Sequence, residues 1–197
     1  MPIVRNYTPE LQLLGSPAVG TRPRLGVRDW ESAPGESLVM RFRFIDRILE
    51  IEPGRRIVAE KKLRPDEDYL RDHFPNFPVM PGVLMLEAMF QASMWLVRMS
   101  EDFQHAVVVL KEARNIKYAD FVQPGQTLRI SAEVIKQDAR TVTLKTEGRV
   151  NNIAAVNGRL ILERFNQAES NSAFEPADGL SRMRMRQEFE RLLVAAA

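Results

Sequence analysis

Residues 83–97 read VLMLEAMFQASMWLV, and twelve of the fifteen are apolar. On a helical wheel these apolar positions lie all round, so such a helix has no face suited to water and must be buried. Such a helix needs a wall around it, and the rest of the body supplies strands. Asp46–Ile51 and Arg56–Leu63 alternate as half-buried strands do. Between them Glu52-Pro53-Gly54-Arg55 is a tight turn, with Pro at its second position and Gly at its third. Four more strand-like runs come later: Ala106–Lys117, Thr127–Gln137, Thr141–Asn151 and Ile153–Phe165. Turn signals at Val122-Gln123-Pro124-Gly125, Asp138-Ala139 and Asn151-Asn152 separate them. The expected class is α+β: a curved antiparallel sheet of about six strands wrapped around one long helix, residues 82–99.

The ends of the chain read differently. Residues 1–37 hold five prolines and four glycines, a density that excludes long helices and central strands. They are expected to form an irregular arm, with Trp30 and Leu11–Leu14 apolar enough to pack somewhere. The body spans 38–165. Residues 166–178 (NQAESNSAFEPAD) read as a polar linker. Residues 179–195 read as an amphipathic helix, with Met185, Phe189, Leu192 and Leu193 in one apolar stripe and Arg182, Arg184, Arg186 and Arg191 around it. Docking on the body or on a partner chain is expected of this helix ahead of binding at a membrane surface.

Composition removes several function classes. The chain of 197 residues has no cysteine, which excludes thiolate nucleophiles, iron–sulfur clusters, cysteine zinc sites and disulfide frameworks. Two histidines, His73 and His105, are too few for a histidine-rich metal site. A net charge of +2 is no nucleic-acid signature. The opening MPIVRNYTPE has no apolar run of the secretory kind. The Val83–Val97 stretch is too short, and with Glu87 and Gln91 too polar, to span a bilayer. A cytoplasmic protein without metal or cofactor is expected.

The chemistry concentrates just before and within the helix. In Asp72-His73-Phe74-Pro75-Asn76-Phe77-Pro78-Val79-Met80-Pro81-Gly82, three prolines fix φ and make a stiff, extended loop. A stiff loop is a suitable mount for an imidazole that must be aimed. Pro81 suits the first turn of a helix, and Gly82 then offers an N–H that no side chain covers. Such an end donor can bind an oxygen that gains negative charge during reaction. Within the helix, Glu87 and Gln91 are four residues apart, so they share a face and can hydrogen-bond. Burial without a Lys or Arg within a turn favours the uncharged form of a carboxyl, the form a general acid needs. His73 is the natural base to set against it.

These residues carry a resemblance. HFPNFPVMPGVLMLEAMFQA, residues 73–92, resembles the active-site segment of the 3-hydroxyacyl-[acyl-carrier-protein] dehydratases of type II fatty acid synthesis. That family shows His-Phe-Pro, then Pro-x-x-Pro-Gly-Val, then Glu-Ala-x-x-Gln. FIDRILEIEPGRRIVAEKKL, residues 44–63, and KEARNIKYADFVQPGQTLRISAEV, residues 111–134, are similar to its opening hairpin and later strands. The resemblance covers residues 38–165. It implies a hot-dog fold, dimers that often assemble as trimers of dimers, and sites at the dimer interface. It implies a (3R)-3-hydroxyacyl chain carried by acyl carrier protein, dehydrated to the trans-2-enoyl thioester. His73 would take the C2 proton and Glu87 of the other subunit would protonate the departing hydroxyl. Gln91 would orient Glu87, and the Gly82 N–H would hold the thioester carbonyl. Phe74, Phe77, Val79, Met80 and Pro81 would line the substrate tunnel.

The sequence departs from that pattern at Asn76, where many members have Gly, and at the bulky Phe77. The Pro124-Gly125-Gln126 turn lacks the usual Asp. Glu87, where the isomerising branch has Asp, favours plain dehydration. Two other readings compete: a non-catalytic module that binds acyl carrier or acyl chain, and a hot-dog thioesterase that uses an acidic residue and water. Acyl carrier proteins are acidic, so Lys111, Arg114 and Lys117 are candidate docking residues.

Overall fold

The computed structural model describes residues 42–194; the arm expected over 1–37 lies outside the described residues. Six strands form one antiparallel sheet: β1 (Arg47–Glu52), β2 (Arg56–Lys62), β3 (Val107–Tyr118), β4 (Thr127–Gln137), β5 (Thr141–Val150) and β6 (Ile153–Phe165). Their order across the sheet is β1-β2-β4-β5-β6-β3. The helix between β2 and β3, α1 (Gly82–Ser100), contacts β2, β3, β4, β5 and β6. A sheet curled round one helix in this way is the hot-dog fold.

Alternation decides which side of each strand meets α1. Ile57, Ala59, Leu128, Ile130, Ala132, Val142, Leu144, Leu160 and Leu162 are buried, while their neighbours in sequence are partly or fully open to solvent. Irregular registers interrupt the β3–β6, β4–β5 and β5–β6 ladders and bend the strands. Gly158 permits the closest approach, since a Cβ there would stand 2.3 Å from Ile116 Cδ1. The sheet ends on β3 at one side, and along this edge strand only Val108 is buried.

The helix is enclosed along its second half but not its first. From Gln91 to Arg98 every residue is buried. Arg98 donates to the carbonyls of His105 and Ala106, and burial pushes its guanidinium down to about 10. Near the start, Val83 is 68% exposed, and Leu86, Glu87 and Phe90 on the same side are half-buried. The wheel predicts burial all round, but among the described residues the curl of the sheet leaves this side uncovered.

The polar segment 166–178 is not a linker. Asn166 and Glu169 form a reciprocal cap on the turn 167–169, and Asn171 caps 172–174. Helix α2 (Glu175–Val194) starts four residues earlier than its apolar stripe suggests, with Pro176 and two acidic residues, Glu175 and Asp178, in its first turn. The buried Asp178 accepts the N–H of Ala168 and ties the turns to the helix. In α2, Phe189 and Leu192 are buried and Met185 half-buried, while Leu193 is exposed. Phe189 sits against Trp95 of α1 and Phe103, with ring centroids 6.0 and 5.6 Å away. Among the described residues no helix is long and apolar enough to cross a membrane.

Candidate active site

The proline-rich loop closes on itself at His73. The imidazole Nδ1 lies 3.2 Å from the carbonyl oxygen of Val79, and the Val79 N–H donates back to the His73 carbonyl at 3.2 Å. Phe77 N–H donates to Phe74, making a turn within the loop. Met80 N–H donates to Val122 O at 2.9 Å, which fastens the loop to the β3–β4 connection. The His73–Phe74 peptide bond is cis. Val79 and Met80 are buried, and the three prolines leave the loop few other shapes.

Beside His73 lies a cavity of about 320 Å³. His73, Phe74, Val79, Met80 and Gly82 of the expected set line it. Gly82 opens α1, and Leu84 and Met85 N–H both donate to Pro81 O. Tyr118 lies over Gly82, where a Cβ would meet its ring at 3.1 Å. Glycine therefore keeps the helix start, with its end donors, open to the cavity. Phe77 and Pro81 do not line the cavity. Phe77 instead meets Phe121, a lining residue, edge to face at 5.6 Å.

Glu87 and Gln91 are elsewhere. Neither lines the His73 cavity. Gln91 is buried and both ends of its amide are engaged. Its Nε2 donates to Glu87 Oε1 at 2.8 Å and to Phe42 O at 2.9 Å, and its Oε1 accepts the Phe44 N–H at 2.9 Å. These three bonds define which end of the amide is oxygen, and they hold one carboxyl oxygen of Glu87. Glu87 itself is half-buried, not enclosed as the wheel implies. Within one chain the imidazole stands beside helix-end donors in one place, and the carboxyl is held by an amide in another.

A family model described as a FabA-like domain matches residues 38–164. The chain belongs to the FabA-like family. Over 122 residues it is 38% identical to the 3-hydroxyacyl-[acyl-carrier-protein] dehydratase FabZ of Geobacillus thermodenitrificans, covering 62% of this chain and 80% of that one. The enzyme of the same name from Ruminiclostridium cellulolyticum is 32% identical over 119 residues, covering 60% and 84%. Among solved structures, the dehydratase heterocomplex ApeI:P of Xenorhabdus doucetiae matches with a TM-score of 0.53 at 18% identity, over 68% of this chain and 90% of that one. The fold of this FabA-like chain is therefore shared well beyond its sequence relatives.

Tyr118, Asp120 and Phe121 also line the cavity, and no motif around His73 points to them. They arrive through the non-local β3–β6 pairing and the connection after β3. None of the expected docking cations lines this cavity. Arg114 is held by Glu112 through two hydrogen bonds of 2.6 and 2.7 Å, and Lys111 lies 3.4 Å from Glu163. Lys117 lines a separate polar cleft with Lys145, Arg149 and Arg159.

Proposed function

We propose that the protein dehydrates (3R)-3-hydroxyacyl-[acyl-carrier-protein] to the trans-2-enoyl thioester, in fatty acid or related lipid synthesis in the cytoplasm. One observation carries the reading: His73, with Nδ1 engaged by Val79, stands in one apolar cavity with the open helix start at Gly82. A carbonyl oxygen accepts and cannot donate, so Nδ1 carries the proton and neutral His73 keeps the Nε2 lone pair for a base. It removes the C2 proton of the substrate. The Gly82 N–H holds the thioester carbonyl as negative charge develops there. Glu87 gives its proton to the C3 hydroxyl, the C3–O bond breaks, water leaves, and the C2–C3 double bond forms. Glu87 ends as carboxylate and His73 as imidazolium, and solvent exchange resets both.

The carboxyl comes from a second copy. Among the described residues, the uncovered side of α1 carries Val83, Leu86, Glu87 and Phe90, at i, i+3, i+4 and i+7, and β3 is an open edge. A two-fold dimer that buries both brings each Glu87 to the other chain's His73 cavity, and trimers of such dimers are the further assembly. Phe74, Val79 and Met80 wall the acyl tunnel, with Phe77 at its rim.

The test is turnover of a 3-hydroxyacyl thioester, followed by enoyl absorbance, for wild type, His73→Ala and Glu87→Gln. Each substitution is expected to lower kcat by about 10² to 10⁴-fold, the usual range for acid–base groups. Unchanged turnover in either variant overturns the roles. Thiol release without enoyl formation would point to thioester hydrolysis instead.

A further inference from the structure

We infer that helix α2 positions the Glu87 carboxyl through Arg43, which makes Glu188 a positioning residue for the dehydration; this rests on the role given to Glu87 above. Glu188 is 7% exposed, and its Oε1 lies 2.6 Å from Arg43 Nη2. A carboxylate so enclosed needs a cationic partner, and the only other one near it among the described residues is Arg191 at 3.5 Å. Arg43 sits in the stretch 42–44, which belongs to no strand. Both flanking residues meet one side chain: Phe42 O accepts from Gln91, and Phe44 N–H donates to it, each at 2.9 Å. Gln91 in turn holds Glu87 Oε1 at 2.8 Å. The contacts therefore run Glu188, Arg43, residues 42–44, Gln91, Glu87.

The geometry of α1 supports the same route. Glu87, Gln91 and Trp95 follow one another at four-residue steps, so they form a single row along the helix. Residue 189, next to Glu188, is the phenylalanine that packs on Trp95. Helix α2 thus bears on this row twice, directly at Trp95 and through Arg43 at Gln91. Without the Glu188 charge, residues 42–44 lose this ion pair and are left with the Gln91 hydrogen bonds alone among the described residues. The amide, and the carboxyl it holds, then gain freedom.

The experiment is steady-state dehydration of a 3-hydroxyacyl thioester by the full chain as wild type, Glu188→Gln, Gln91→Ala and the double variant. Glu188→Gln is expected to lower kcat about tenfold, inside the range for a misplaced catalytic group, with KM changed less than about twofold. The double variant is expected to be no slower than Gln91→Ala alone, because one acts through the other. Arg186→Ala is the control. It removes the α2 contacts with Asp102 and Phe103 without touching the Arg43 link, and should lower Tm while kcat stays. Unchanged kcat in Glu188→Gln, or multiplied losses in the double variant, overturns the inference. Should Glu188→Gln fail to fold, Arg43→Gln breaks the same link from its other end. Full turnover in Glu87→Gln would instead remove the reading beneath it, so the two failures are told apart.

Discussion

His73 and Val79 are joined at two points, side chain to carbonyl and N–H to carbonyl, both at 3.2 Å. The pair does two things at once. It closes a five-residue excursion, 74–78, around Pro75 and Pro78, and it sets the tautomer of the ring. In the proposed dehydration the nitrogen left over is the base, and no further residue is needed to choose it.

If each site draws its imidazole and carboxyl from different chains, two dead variants should repair one another. Mixing His73→Ala with Glu87→Gln chains under exchange conditions restores one intact site in each mixed dimer, so roughly a quarter of wild-type activity is expected. Activity that stays at the level of the separate variants would mean that both groups act within one chain.

Gly82→Ala tests the helix start. The added methyl would meet the Tyr118 ring at 3.1 Å, and that ring is 49% exposed and able to yield. The fold should survive, because alanine is a good helix residue. The methyl also stands beside the donors that face the cavity. The expected outcome is a Tm close to wild type with kcat lowered about tenfold or more, read by calorimetry and enoyl formation. A loss of stability with full kcat would argue against a role for these donors.

Gln91→Ala should cost stability as well as rate. It leaves the Phe44 N–H and the Phe42 carbonyl without their partner, and Phe44 is buried. An unsatisfied buried group costs about 1–3 kcal/mol. Chemical denaturation should show a loss of that size. A loss below about 0.5 kcal/mol would mean that water replaces the amide.

The β4–β5 turn should carry an acid-sensitive contribution. Asp138 accepts from Thr141 Oγ1 and from the N–H groups of Arg140 and Thr141, and these bonds lower its carboxyl from 3.8 to about 2. A folded value below the unfolded one gives stability that is present above pH ~4 and lost as pH falls toward 2. Wild type is therefore expected to lose Tm across pH 4 to 2 more steeply than Asp138→Ala, as followed by scanning calorimetry. Parallel curves would remove Asp138 from the acid response.

Much of this architecture is legible in the chain. The β4, β5 and β6 runs alternate cleanly because one face meets α1, and β4 and β6 occupy the expected residues, Thr127–Gln137 and Ile153–Phe165. The Glu87–Gln91 bond follows from helical spacing alone. Other features depend on contacts that no local pattern carries. The wheel treats all of α1 as enclosed, yet the sheet stops short of Val83 and Glu87. Composition reads Asn166, Glu169 and Asn171 as solvated, although each side chain caps a turn. Tyr118 and Phe121 reach the His73 cavity only because β3 pairs with β6 at the far edge of the sheet.

The edge-to-face contact of Phe77 with Phe121 couples two connections that are distant in sequence. The proline loop and the segment after β3 can separate at the rim only if those rings part, at about 0.5–1.5 kcal/mol. A branched or bulky acyl group that needs a wider doorway would bear that penalty on entry, whereas a slender straight one would pass without disturbing it. Chain shape, and not length alone, should then govern which substrates this protein admits.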